Sequence, residues 1–298
     1  MRKLSLNVDR LYKRYGALKA GQLVKAAGFD AVDFSFTGMV RDDNEFLADN
    51  YIEIAKNIRA EFDLSGIAVN QAHAPFSFPL DWFLKECELY DIIYPRLIRS
   101  MEMASILGAE AIIIHPIHYR DIGAEEAFRR NMEFYKHLMP YCEKFGIKVA
   151  TENMWDRDPR RGHIIHDSCS TKEEFVRYID EFNNPNLIAC LDVGHVGLPR
   201  QDDEAHDFVY ALGKNRLKAL HIHDNNYQGD NHSMPFRGKM NWEAIGKALG
   251  EIGYEGDFTY EIEGTLMGSI PDSAMPSLLK LYYDVLKYIS DVADSYRK

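Results

Sequence analysis

The sequence predicts an α/β protein, a single-domain (β/α)8 or TIM barrel spanning residues 1–298. Three observations lead there. Eight short β-branched or aliphatic runs alternate with eight longer stretches of helical period. No composition break or low-complexity tract marks a linker, although the length alone would allow two domains. Residues of metal-ligand type recur at or near the ends of six of the runs, roughly one βα unit (about 30–40 residues) apart.

In chain order, the strands are expected at Leu4–Val8, Ala31–Phe36, Ile67–His73, Ala111–His115, Lys148–Glu152, Leu187–Asp192, Leu217–His223 and Phe258–Glu263. The helices are expected at Lys19–Ala27, Phe46–Ala60, Phe83–Leu107, Glu125–Phe145, Lys172–Phe182, Glu204–Leu212, Trp242–Leu249 and Ser277–Asp294. Gly28, Gly108 and Gly146 fall where a helix ends and a left-handed cap residue is wanted. Ser170-Thr-Lys-Glu173 has the spacing of a capping box.

Composition narrows the function classes. With 46% hydrophobic and 27% charged residues the chain is ordinary globular protein, which excludes disorder. Its longest aliphatic run, Ala111–Ile114, is far short of the ~20 residues of a membrane span. A net charge of −11 argues against bulk attraction to nucleic acid. The four cysteines (Cys87, Cys142, Cys169, Cys190) form no C-x-x-C pair and read as reduced thiols. No signal peptide is evident at the N-terminus, so the cytoplasm is the expected location.

His73, His115, Glu152, Asp192, His221 and Glu261 stand at the strand ends. Two positions earlier lie Gln71, Ile113, Ala150, Cys190, Ala219 and Thr259, which face the barrel axis by the period of two; the residues between (Ala72, Ile114, Thr151, Leu191, Leu220, Tyr260) face the helices. A lone histidine is commonly a hydrogen-bonded structural side chain, and a lone carboxylate a helix cap. Three imidazoles and three carboxylates in one cavity are different: they repel or lose solvation unless a cation neutralises them. Nitrogen and oxygen ligands without thiolate suit Mn²⁺ foremost, with Zn²⁺, Co²⁺ or Mg²⁺ as alternatives.

Other residues surround this set. His195 reads as an orienter, a substrate contact, another ligand or a helix-start histidine. His221 matches the depth of the other ligands, and His223 stands nearer solvent. Asp230 and His232 belong to a Gly/Asn-rich loop that offers two more ligands or is ordinary surface. Glu261 is preferred over Glu263 as the deeper carboxylate. Arg157, among the three arginines of the loop after the fifth strand, and Arg237 are candidates to bind an anionic group, or are self-paired surface charges. Phe76 and Phe78 are placed to cover the mouth. No P-loop, G-x-S-x-G or dinucleotide fingerprint is present.

His73-Ala-Pro-Phe76, His115-Pro116, Thr151-Glu-Asn153, Leu191-Asp-Val-Gly-His195, His221-Ile-His-Asp224 and Tyr260-Glu-Ile-Glu263 together resemble the xylose isomerase-like barrel superfamily. That group holds sugar phosphate isomerases and epimerases, and also the endonuclease IV type of DNA-repair enzyme. The resemblance implies a divalent-metal-dependent isomerase or epimerase of carbohydrate metabolism working through an enediolate. One cation would be held by Glu152, Asp192, His221 and Glu261, with Glu152 and Glu261 exchanging the substrate proton. An arginine that epimerases carry six residues after the ligand histidine is Tyr227 here. Two alternatives remain: a lyase or dehydratase on the same barrel, and a trinuclear zinc phosphodiesterase using His73, His115, His195, Asp230 and His232 as well. The partner implied is a small carbohydrate, neither nucleic acid nor membrane, with a homo-oligomer allowed.

Overall fold

Along each short run, side chains point alternately to the two faces of the sheet, so closing the sheet creates two separate cores. A computed structural model describes residues 2–76, 90–119, 122–199, 202–262 and 265–297. Its strands are β1 (Leu4–Asn7), β2 (Ala31–Ser35), β3 (Ala68–His73), β4 (Ala111–Ile113), β5 (Lys148–Glu152), β6 (Trp155–Arg157), β7 (Ile164–His166), β8 (Leu187–Asp192), β9 (Leu217–His221) and β10 (Phe258–Tyr260). Eight of them pair in parallel in the order β10-β1-β2-β3-β4-β5-β8-β9. Between β9 and β10, Ile222 N–H donates to Thr259 O (2.9 Å) and Glu261 N–H donates to Ile222 O (3.2 Å), linking the two ends of the sheet. The result is a TIM barrel of one domain.

The helices are α1 (Asp9–Ala27), α2 (Tyr51–Ser65), α3 (Tyr90–Leu107), α4 (Ala124–Phe145), α5 (Lys172–Phe182), α6 (Ala205–Arg216), α7 (Trp242–Glu251), α8 (Thr265–Ser269) and α9 (Met275–Ser295). Ala72, Ile114, Leu191, Leu220 and Tyr260 join the core between strands and helices. Ala111, Ile113, Ala150, Ile188, Cys190 and Ala219 form a second apolar cluster, inside the barrel. The expected alternation therefore holds. The Thr151 hydroxyl faces outward to Tyr135 of α4 (2.7 Å), while Thr259 faces inward to Asn70 (3.0 Å) and Gln71 (3.3 Å).

Several boundaries differ from expectation, among them α2, which runs Tyr51–Ser65 rather than Phe46–Ala60, and β9, which ends at His221 rather than His223. The first helix begins at Asp9 rather than Lys19, interrupted by a non-helical turn at Gly16 (φ 73°, ψ 171°) that glycine accommodates. The fourth and last strands stop at Ile113 and Tyr260, so His115 and Glu261 lie just past them. The cap of α5 is Thr171, one residue later than expected, because the Ser170 hydroxyl is engaged by His166 Nδ1 (2.9 Å). The loop after β5 folds into an antiparallel hairpin, β6–β7, which periodicity did not reveal. Cys142, Cys169 and Cys190 are free, buried thiols. Cys87, Phe78, Glu263 and residues 83–89 of the expected third helix lie outside the described residues. Among the described residues no helix is long and apolar enough to cross a membrane.

Candidate metal centre

The C-terminal ends of β3, β5, β8 and β9, with the loops beyond them, bring the expected ligands together. Glu152 and Asp192 are the last residues of β5 and β8, and His221 the last of β9; each is buried. His221 Nδ1 lies 3.0 Å from Glu152 Oε1, 3.3 Å from Glu261 Oε2 and 4.0 Å from Asp192 Oδ2. On the other side of Glu152, Oε2 meets His115 Nε2 at 3.0 Å and His73 Nε2 at 3.8 Å. Asp230 Oδ2 faces His232 Nε2 (3.0 Å) and His195 Nε2 (3.3 Å). His223 Nε2 is 3.0 Å from each carboxylate oxygen of Asp192, and its ring stacks on His232 at 4.1 Å.

Among the described residues, three groups have ligand atoms within 4.8 Å of one another: Glu152, Asp192, His221 and Glu261; His73, Glu152 and His221; and His195, His223, Asp230 and His232. His115 adjoins the second group through Glu152, at the distance already given.

The tautomers follow from the backbone. A carbonyl only accepts, so the nitrogen that faces it must carry the proton. His73 Nδ1–H donates to Ala74 O (2.8 Å), His195 Nδ1–H to Asn153 O (2.8 Å) and His232 Nδ1–H to Glu261 O (2.9 Å). In each ring the opposite nitrogen, Nε2, is thus the one turned toward the carboxylates. That arrangement prepares a histidine to bind metal.

Burial and neighbouring charge pull these groups apart. Burial, aided by the His115 charge, lowers His73 to about 3, which keeps its ring neutral. Burial alone would raise Glu152, but His221 and His115 hold it well below the usual carboxylate range. For Glu261, burial prevails over the opposing charges of His221 and His232 and lifts the carboxyl to about 8. Burial opposes a charged His232, yet its bond to Asp230 and the nearby Glu261 raise it to about 10.

These residues fit a divalent cation. Asp230 Oδ1 is buried without a hydrogen-bond partner and Glu152 Oε2 has only the approach of His115 Nε2, which is costly for carboxylate oxygens unless a cation or a proton meets them.

The supporting residues were less visible in the sequence. Asn153 clamps Asp192 by donating from Nδ2 to its carbonyl (2.9 Å) and accepting its N–H at Oδ1 (2.8 Å). Asp224, turned away from the cavity, accepts from Asn225 N (2.8 Å), Met240 N (3.2 Å), Gly238 N (3.0 Å) and Trp242 Nε1 (2.9 Å), fastening the loop that carries Asp230 and His232. At the rim, Trp155 stands 6.4 Å from the His195 ring. Phe76 stands 5.0 Å from His73 and 4.8 Å from His115, and is partly exposed.

The candidate anion binders are placed differently. Arg157 Nη1 donates to Gly162 O (2.6 Å) within its own hairpin. Arg237 lies in the loop beyond His232, where its charge acts on Tyr282 of α9. Tyr227, at the position of the epimerases' arginine, donates to Glu204 Oε2 (2.8 Å).

Residues 22–283 match the xylose isomerase-like TIM barrel family. The chain belongs to that family. It is 28% identical over 209 residues to a probable endonuclease 4 of Shouchella clausii, covering 67% of each protein. A crystal structure of D-psicose 3-epimerase in the presence of D-fructose superposes with a TM-score of 0.71 at 17% identity, over 96% of this chain and 99% of the other. The IOLI protein, solved with a binding zinc atom, gives 0.72 at 17% identity over 99% of each chain. Likeness at that level of identity establishes the shared barrel.

Proposed function

We propose that the protein is a divalent-metal-dependent sugar isomerase or epimerase, moving a proton at a carbon next to a carbonyl. The observation that carries this is the placement of two carboxylates, Glu152 and Glu261, on the same His221 nitrogen at 3.0 and 3.3 Å, with Asp192 completing the group. Solved epimerase structures that share the barrel, D-psicose 3-epimerase among them, support the reading.

Glu152, Asp192, His221 and Glu261 would hold the cation. When bound, it would neutralise the negative charge that develops on the carbonyl oxygen as the adjacent C–H proton leaves. One carboxylate accepts that proton from the sugar carbon, and the other returns a proton to the opposite face or to the neighbouring carbon. The clamps on Asp192 and His195 keep the surrounding set in register, as proton transfer over hydrogen-bond distances requires. Phe76 and Trp155 offer apolar surface at the rim against which a sugar face packs.

The test is turnover in deuterated water with a panel of ketoses and sugar phosphates, using protein loaded with Mn²⁺ or Zn²⁺. Solvent deuterium should appear at the carbon beside the carbonyl of the product. Conversion of a substrate without such incorporation, in protein whose metal content is verified, would count against proton transfer through solvent-exchangeable carboxylates.

A second reading has its own observation. The groups built on His73, His115 and Glu152, and on His195, Asp230 and His232, exceed what one cation requires. They suit a phosphodiesterase with several metal ions, consistent with the endonuclease 4 relative. Three zinc ions per chain and cleavage of abasic DNA would favour it; one metal ion and intact DNA would dismiss it.

A further inference from the structure

The four imidazoles with assigned outer contacts do not all use the same kind of partner. His73, His195 and His232 each rest one nitrogen on a backbone carbonyl. His221 has none. Its inner nitrogen is Nδ1, surrounded by Glu152, Glu261 and Asp192, and its outer nitrogen, Nε2, faces Asp33 Oδ2 at 3.5 Å. We propose that Asp33 is the positioning residue of His221: its carboxylate draws the ring proton to Nε2 and thereby leaves the Nδ1 lone pair to the cation. The inference rests on the reading that a cation is held there.

Asp33 is hard to explain otherwise. It is fully buried in the middle of β2, a strand that supplies no other member of the centre. Its Oδ1 has no hydrogen-bond partner, and Oδ2 has one long contact from Asn7 Nδ2 (3.5 Å) besides the His221 ring. A carboxylate so weakly satisfied costs several kcal/mol to bury, whereas an apolar residue at this position would cost nothing of the kind. His221 Nε2 is likewise buried without a better partner. The approach of Asp33 Oδ2 gives the His221 nitrogen its partner, while Oδ1 stays without one.

The backbone also aims it. Between β2 and β3 the register shifts, with Val32 opposite Val69 but Asp33 opposite Gln71, leaving Asn70 as the extra residue. The extra residue belongs to β3; within β2 the aim of Asp33 follows from alternation, because Val32 and Phe34 on either side of it join the outer core. The next residue, Phe34, packs outward among Tyr12, Phe36, Phe46 and Phe62, with ring separations of 5.1 to 6.1 Å. That anchor fixes Asp33 toward the axis. Asp33 also lies behind the ring, on the nitrogen away from the carboxylate group, so it acts on His221 rather than as a further ligand.

The experiment measures zinc affinity by competition with a chromophoric chelator for the unmodified protein, Asp33→Ala and Asp33→Asn. Loss of a partner of this kind weakens metal binding about 10–100-fold, expected in full for Asp33→Ala and in part for Asp33→Asn, whose amide oxygen still accepts. If the unmodified protein binds no zinc, the metal reading itself fails. If it binds zinc and Asp33→Ala binds equally well, only the role of Asp33 is overturned. Should the alanine variant not fold, ¹⁵N-histidine spectra of the unmodified zinc-loaded protein decide: zinc at Nδ1 with a proton on Nε2 supports the assignment, and zinc at Nε2 of His221 refutes it. A role limited to packing would alter the melting temperature without changing the graded order of affinities or the tautomer.

Discussion

Replacing Asp224 by Asn changes one atom in shape and tests whether this carboxylate holds the ligand loop. Oδ1 accepts from Asn225 N and Met240 N, and Oδ2 from Gly238 N and Trp242 Nε1. An asparagine amide presents one oxygen, so either orientation turns an NH2 group toward two donors. Two hydrogen bonds to a charged acceptor are lost, at about 1.5–3 kcal/mol each, giving a total of about 3–6 kcal/mol for a fully buried site. Flipping the amide recovers nothing. The loop it fastens is strained: Tyr227, His232 and Phe236 have φ of 62°, 40° and 68°, in the left-handed region where a side chain costs roughly 1–2 kcal/mol per residue. The loop should therefore release before the barrel melts. Hydrogen exchange over residues 225–240 reports local release, and denaturant unfolding reports any global loss. Protection of that loop unchanged from the unmodified protein, with a stability loss below about 1 kcal/mol, would refute the latch.

Three further outcomes are expected. A Cβ on residue 194 would fall inside the buried His223 ring, so Gly194→Ala should displace that ring from Asp192 and lower both metal affinity and melting temperature; retention of both would show that the ring relocates freely. Glu261→Gln should slow deuterium incorporation about 10²–10⁴-fold while the protein stays folded, and an unaffected rate would remove Glu261 from the proton path. Burial raises Glu174 of α5 from 4.5 to about 7, so the folded state holds a proton that the unfolded state releases, and stability should fall as pH rises between those values. Glu174→Gln should thus match the unmodified protein near pH 4 and exceed it by about 2 kcal/mol above pH 7, and parallel stability–pH curves would contradict the assignment.

The barrel was legible because burial on both faces writes two periodic signals into every strand. Cys190 and Ala219 inside, with Leu191 and Leu220 outside, could be separated by alternation alone. The clustering of the candidate ligands was legible for the same reason, since a strand end fixes both depth and direction. Glu152, Asp192 and His221 each close a strand, and the structure brings them together. The loop ligands were less certain: Asp230 and His232 sit in a segment without periodicity. What joins them to the centre is the bond network around Asp224, whose donors come from residues 225, 238, 240 and 242.

Asp33 shows where periodic reasoning ends. It lies in a run, Ala31–Phe36, whose other members are apolar or small, and nothing in that run points to a partner in His221, far along the chain. Alternation between the outward Val32 and Phe34 aims it at the axis, but a single inward carboxylate in the middle of a strand does not name its partner. The same limit applies to Asn153, which follows the candidate ligand Glu152 and looks like a loop residue until its two bonds to the Asp192 backbone are seen. Candidate ligands declare themselves by chemical type at a strand end. The groups that orient them act through partners distant in sequence, and only the folded chain brings those partners within reach.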